Sequence, residues 1–122
     1  MKIFIQSILQ SDQRYATVGD YQWIADDLYI NVTDLPDKRH MYLIAIHELV
    51  EALLCDISNV SCEEIDQWDF NWDRPGEPGD NSAAPYFTQH QIATAIEKLC
   101  AFEMLTDWAE YEQACNNSLG DF

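Results

Sequence analysis

His40-Met41-Tyr42-Leu43-Ile44-Ala45-Ile46-His47-Glu48-Leu49-Val50-Glu51-Ala52-Leu53-Leu54-Cys55-Asp56-Ile57 decides the fold of this chain. From Met41 to Cys55, apart from Tyr42 and Cys55, the ionisable side chains are His47, Glu48 and Glu51. The remainder is apolar on nearly every face, which is how a helix buried in a small domain reads. Ala and Leu favour helix, no Gly or Pro interrupts, and the run is too long for an ordinary strand. At about 100° per residue, His47 and Glu51 lie about 40° apart on one face and one turn along, with Glu48 on the flank. A charge on so apolar a helix is costly unless it is paired or holds a metal.

His47-Glu48-Leu49-Val50-Glu51 has the form H-E-x-x-E. In the related H-E-x-x-H pattern two ligands one turn apart converge on a metal, and the Glu between them is a general base. Here Glu51 takes the second ligand position, and a carboxylate oxygen is a legitimate zinc ligand. Glu48 then stands where it reaches a bound water rather than the ion. A third ligand must come from elsewhere. His40 shares the face but lies two turns, about 10 Å, from His47. His90 opens a second helix after a Pro-rich loop, and Asp80 and Glu97 are its substitutes. The expected set is therefore Zn²⁺ on His47, Glu51 and His90, with Glu48 catalytic. The plainer alternative has the three helix residues satisfied by hydrogen bonds and by Lys38, Arg39 or Arg74.

Outward from that helix, the order of elements predicts an α+β fold. Lys2 to Ile8 alternates as a strand with Ile3, Ile5 and Ile8 inward. Ser11 to Asp20 reads as a loop ending in Gly19-Asp20. Tyr21–Ala25 and Leu28–Val32, separated by Asp26-Asp27, read as a hairpin. The expectation is a small N-terminal antiparallel sheet of two or three strands, packed on the buried central helix and two or three further helices. Asp34 is the expected cap of the central helix, with Pro36 in its first turn. Ser61-Cys62-Glu63-Glu64 is a capping box for a short helix to about Asp69. Its Trp68 and Trp72, four apart, form either core packing or a ligand platform. Asp73 to Pro85 is a loop, either an ordinary connection or a lid. Tyr86 to Leu105 is a second long helix with one stripe of Ile92, Ile96, Leu99 and Glu103 and a neighbouring one of Ala93, Cys100 and Met104. Asp107 to Glu110 starts a last helix.

The 122 residues suit one domain, 1–122, with one core. The net charge is -16, with fourteen acids after Cys55 against only Arg74 and Lys98. That field disfavours direct contact with nucleic acid or an anionic membrane and suits a basic partner protein. The four cysteines form no C-x-x-C pair, and Cys55 and Cys100 sit among core-type residues. With no spanning apolar run and no signal-peptide pattern, the expectation is a soluble, cytoplasmic protein.

Ile46 to Cys55, followed by Glu77-Pro78-Gly79-Asp80, by Ala84-Pro85-Tyr86 and by His90, resembles a group of small uncharacterised proteins carried by phages and prophages. Gln13-Arg14-Tyr15-Ala16-Thr17-Val18-Gly19-Asp20 fits the same group. The resemblance implies the cytoplasm of a host cell and brings no activity with it. More distantly, His47 to Glu51 resembles the active-site helix of zincin-type metallopeptidases, with Glu51 in place of the second histidine. That likeness implies a zinc-dependent hydrolase acting on an amide or related bond. A second functional class is an acidic, phage-encoded binding inhibitor of a host defence system, covering a basic nucleic-acid groove or sequestering a small ligand without catalysis. A third is a structural domain whose ionisable residues only lock the core.

Overall fold

The computed structural model describes residues 1–120, and they form an α+β fold. Three strands, β1 (Ile3–Ile8), β2 (Gly19–Ile24) and β3 (Asp27–Thr33), precede four helices, α1 (Lys38–Ile57), α2 (Cys62–Phe70), α3 (Phe87–Glu103) and α4 (Trp108–Leu119). No helix among the described residues is long and apolar enough to cross a membrane.

The sheet has the order β1-β3-β2. β3 takes the centre because Leu28, Ile30 and Val32 are almost fully buried. Each such side chain contributes about 1.5–3 kcal/mol over its exposed state. β2 and β3 form the expected hairpin, with Ile24 opposite Asp27 across a two-residue turn. Two points differ from the sequence reading. β1 runs parallel to β3, Ile3 opposite Leu28 through Ile8 opposite Thr33, so the sheet is mixed rather than antiparallel. Ile3 and Ile5 are also exposed, because β1 is an edge strand that no helix covers. An alternating pattern reads the same for either direction and for either face.

Gly19 and Asp20 belong to β2 rather than to the loop before it. A Cβ on Gly19 would lie 2.6 Å from Ile44 Cγ2 and 2.8 Å from the Glu48 carboxylate, so glycine is what lets β2 run directly across α1. The connection from β1 is held by side chains. Gln10 donates to the Thr17 carbonyl at 2.8 Å, and Thr33 donates to Gln10 Oε1 at 2.8 Å. Arg14 grips buried Asp20 at 2.7 and 2.9 Å and also reaches Asp66 of α2 at 3.0 Å. One guanidinium thereby ties loop, strand and helix, the bidentate geometry that makes such contacts stronger than ordinary ion pairs.

α1 is capped by Asp37 and not by Asp34: its carboxylate accepts from the Arg39 N–H at 2.9 Å, and Pro36 stands before the helix. The Ser61–Glu64 capping box and the Asp107 cap of α4 are as expected. Both α1 and α3 end on a residue in the left-handed region, Asn59 (φ 58°) and Leu105 (φ 54°). In each, the following N–H reaches back to the helix, from Val60 to Cys55 O and from Thr106 to Ala101 O, both at 2.9 Å. The two stripes on α3 differ in burial. Ala93, Glu97 and Ala101 are buried, while Ile92 and Leu99 face outward.

Candidate metal centre

α1 and α3 pack antiparallel, and the polar side chains of both inner faces meet between them. His47 and Glu51 come from the middle of α1, and His90 comes from the first turn of α3. His47 Nε2 lies 3.0 Å from Glu51 Oε2 and 3.2 Å from His90 Nδ1. His90 Nδ1 lies 2.9 Å from the same Glu51 oxygen. Three donor atoms from the three expected residues therefore form a nearly equilateral triangle. Ligands held 2.0–2.1 Å from a tetrahedral zinc stand about 3.3 Å apart, so the triangle needs almost no rearrangement to hold one.

The outer ring nitrogens decide what the inner ones can be. His47 Nδ1 lies 2.7 Å from Glu97 Oε1, and His90 Nε2 lies 3.0 Å from Asp80 Oδ1 and 3.2 Å from Glu77 Oε2. A carboxylate accepts, so each of these nitrogens carries the proton. In a neutral imidazole that leaves a lone pair on His47 Nε2 and on His90 Nδ1, both aimed at a third lone pair on Glu51. Three acceptors facing one another need a cation between them, either protons or a metal. Carboxylates behind metal-bound histidines fix the ring and its tautomer in this same way.

Charge points in the same direction. Glu48, Glu51, Glu97, Glu77 and Asp80 surround two imidazoles, and among the described residues no Lys or Arg forms a salt bridge with any of them. Arg39 is occupied by Asp37, so the neutralisation by Lys38, Arg39 or Arg74 that the sequence allowed is not found. Burial pushes the His47 pKa down, but Glu51 and Glu97 outweigh it and leave the ring well above its ordinary value. His90 is opposed by burial and raised by Glu51 and Glu77, ending at about 10. Burial raises the Glu51 carboxyl, and the hydrogen bonds from the two histidines overcome it, so its pKa is lowered. With no metal between them, both imidazoles are thus biased toward their protonated forms.

Glu48 behaves differently. It is buried against Gly19 and Asp20 and hydrogen-bonds to no described residue. Burial first, and then the neighbouring Glu51 charge, push its pKa well above the ordinary carboxylate value. A carboxyl raised in this way holds a proton more readily than an ordinary one, which suits it to proton transfer. It lines, with His47, Glu51 and His90, a cleft of about 810 Å³, within the range of small-molecule sites. Tyr15, Trp72 and Arg74 stand on the cleft wall, with Arg74 stacked 4.4 Å over the Trp72 ring.

Of the candidate residues, His47, Glu51 and His90 are brought together. Asp80 and Glu97, the substitutes for the third ligand, lie behind the histidines. His40 packs against Tyr111 and Asp37, away from the cluster. The sequence reading missed Glu77 behind His90 and Tyr111, which donates to Glu97 Oε2. It also missed Tyr15 and Tyr86, which both donate to Asp69 beside Glu48 and Glu51. The sole signal for Glu77 was its place next to Pro78-Gly79-Asp80.

The loop over the site is a built structure. Trp68 Nε1 donates to Pro78 O at 2.9 Å, and Trp72 Nε1 donates to Gly76 O at 3.0 Å. The two tryptophans therefore pin the loop that carries Glu77 and Asp80. A Cβ on Gly79 would lie 2.6 Å from the His90 ring, so that position must be glycine for the loop to approach the imidazole. Comparison of the chain with protein-family models, with curated proteins and with solved structures gave no match.

Proposed function

We propose that this protein is a zinc-dependent hydrolase, with His47, Glu51 and His90 as ligands and Glu48 as the general base. One observation carries the reading: three lone pairs converge from two helices, and the far nitrogen of each imidazole is already tied to a carboxylate. Two histidines and one glutamate are the ligand set of well-known catalytic zinc sites. Zinc held there would polarise a water and a carbonyl oxygen. Glu48, unpaired and with a raised pKa, takes the proton of the attacking water and returns it to the leaving group. The cleft admits a substrate with an amide or related bond, as the zincin-like helix implies. The opening of the three ligands onto that cleft supports a catalytic rather than a purely structural ion, because a catalytic zinc needs a free position.

Metal analysis of protein expressed in zinc-replete medium tests the ligands. The expected result is one zinc per chain in wild type and none in His47→Ala or His90→Ala. The Glu48→Gln variant tests the base. It should keep its zinc and lose at least about 100-fold in turnover of a peptide or amide substrate. Binding of a basic host protein that survives Glu48→Gln, with no hydrolysis by wild type, would favour the acidic-inhibitor reading instead.

A further inference from the structure

The cleft beside the metal centre is lined by two arginines and no lysine, and the two arginines differ. Arg14 is engaged inside the protein, with Asp20 at 2.7 and 2.9 Å and with Asp66 at 3.0 Å. Arg74 pairs with no carboxylate and donates to no acceptor among the described residues; its guanidinium lies 4.4 Å over the Trp72 ring. The acids of the same cleft are committed elsewhere. Glu51, Glu77 and Glu97 hold the histidines, Asp69 accepts from Tyr15 and Tyr86, and Glu48 packs against Gly19. Glu77 is only three residues along from Arg74, at most about 11 Å of backbone, yet it turns to His90. The support under Arg74 is fixed. Trp72 Nε1 donates to Gly76 O at 3.0 Å, and Gly76 takes a left-handed conformation (φ 88°) in that turn. Tyr15 and Phe70, edge to face at 5.1 Å, add an aromatic stretch to the same wall.

We infer that Arg74 determines the specificity of this cleft, and that it holds the free carboxylate of a short peptide or acyl amino acid whose amide bond lies at the metal. The inference rests on the hydrolase reading and names its substrate class. A guanidinium stacked by one face keeps the N–H donors of its edge available, and that planar fork matches the two oxygens of a carboxylate. Stacking on a pinned indole restricts the side chain before the ligand arrives, which lowers the cost of binding. Arg74 is the one unpaired cation of a wall otherwise charged by acids, so it fixes the direction in which an anionic substrate enters. A neutral end gains nothing from it and a cationic end is repelled. A cleft of about 810 Å³ has the size of a small-molecule site, which suits a compound of one to a few residues. The aromatic stretch of Tyr15 and Phe70 suits an apolar side chain beside that carboxylate. Hydrolysis breaks the C–N bond: the water oxygen goes to the acyl carbon and a water proton to the nitrogen. The fragment left at Arg74 is then the one that carries the free carboxylate.

Two probes that differ by one charge test this: N-benzoylglycyl-phenylalanine and its C-terminal carboxamide. The zinc-loaded wild type should hydrolyse the acid with kcat/KM at least about 10-fold above the carboxamide, the scale of a charge-assisted hydrogen bond. The difference should lie in KM, as for an interaction present before and during the reaction. Arg74→Gln should erase the preference with zinc content unchanged, and Arg74→Lys should restore only part of it, because an ammonium lacks the planar fork. Lys98→Gln should keep it, since that ammonium lies over Trp108 and outside the cleft lining. Calorimetry on the zinc-loaded Glu48→Gln variant makes the same comparison without turnover, and adding Arg74→Gln should level the two affinities. The inference is overturned if wild type treats acid and carboxamide alike, if Arg74→Gln leaves the preference intact, or if the acid does not bind up to about 10 mM. Tighter binding of the matching phosphonate than of the carboxylate would overturn the choice of anion. Binding of the acid that depends on Arg74, with neither probe hydrolysed by wild type, would count against the hydrolase reading and leave the anion site standing.

Discussion

The two sides of α1 are built on one apolar helix and do different things. On the inner side, His47, Glu48 and Glu51 replace the apolar residues that a simple core would use. His47 and Glu51 meet His90 and Glu97 rather than Lys or Arg, while Glu48 packs against Gly19. On the outer side, Tyr42, Leu53 and Ile57 reach into solvent beside the exposed carboxylate of Asp56. A buried cluster of ionisable groups is weak evidence for stability, since apolar side chains of the same volume often serve as well. An uncovered apolar stripe is a liability unless something docks on it. The difference teaches that neither side is optimised for the isolated fold.

The inner side breaks most readily at Gly79. The Gly79→Ala change drives a methyl group against the His90 ring, so zinc affinity should fall about 10- to 100-fold, as for other losses of support behind a ligand. Competition with a fluorescent chelator measures it. If affinity is unchanged, His90 is not held where the metal reading needs it. The Glu97→Gln change should weaken zinc by about 10-fold for a related reason, because the amide supports the His47 ring less strongly.

Acidity sharpens the same comparison. In metal-free protein both histidines titrate above their ordinary value, so zinc must displace their protons. Calorimetry in buffers of different ionisation enthalpy should show about one to two protons released per zinc at pH 7. The sign for stability follows from His90. Its pKa is raised from 6.5 to about 10, so the stability it contributes is complete below 6.5 and is lost as pH rises through about 10. His47 shifts in the same direction. Thermal melts in chelator should therefore fall across that window, whereas zinc-loaded protein should hold its stability there. The outer-face changes Leu53→Glu and Leu99→Glu should leave both curves with the same pH dependence.

The smallest effect is at a helix end. Asn59 and Leu105 occupy equivalent left-handed positions after α1 and α3. Asparagine tolerates that conformation, whereas a leucine there costs about 1 kcal/mol. Since Leu105 is 88% exposed, Leu105→Gly sacrifices little packing and should stabilise the fold by about 0.5–1 kcal/mol, after allowing for the freer unfolded chain. A denaturant midpoint would register the gain.

Much of this was legible in the sequence, for physical reasons that also set the limit. The helices announced themselves through apolar spacing, with the caps of α2 and α4 read correctly and that of α1 displaced from Asp34 to Asp37, and the neighbouring positions of His47 and Glu51 followed from one-turn spacing on α1. His90 was legible as a histidine at a helix start. What escaped depended on contacts distant in sequence. The parallel pairing of β1 with β3 leaves no mark on an alternating strand. Gly19 and Gly79 look like turn residues, yet each is required because another element passes close to it. Ile92 and Leu99 look like core residues because periodicity distinguishes one face of a helix from another without saying which face is covered.

The indole contacts of the loop have a practical consequence. Two of the four tryptophans of the chain donate to carbonyls that flank Glu77, and Glu77 and Asp80 hold the far nitrogen of His90. An ion held at the near nitrogen, as the proposed function requires, would redistribute charge along that short relay toward the indoles. Intrinsic emission would then serve as an optical gauge of occupancy, read from Trp68 and from Trp72, whose ring carries the Arg74 guanidinium.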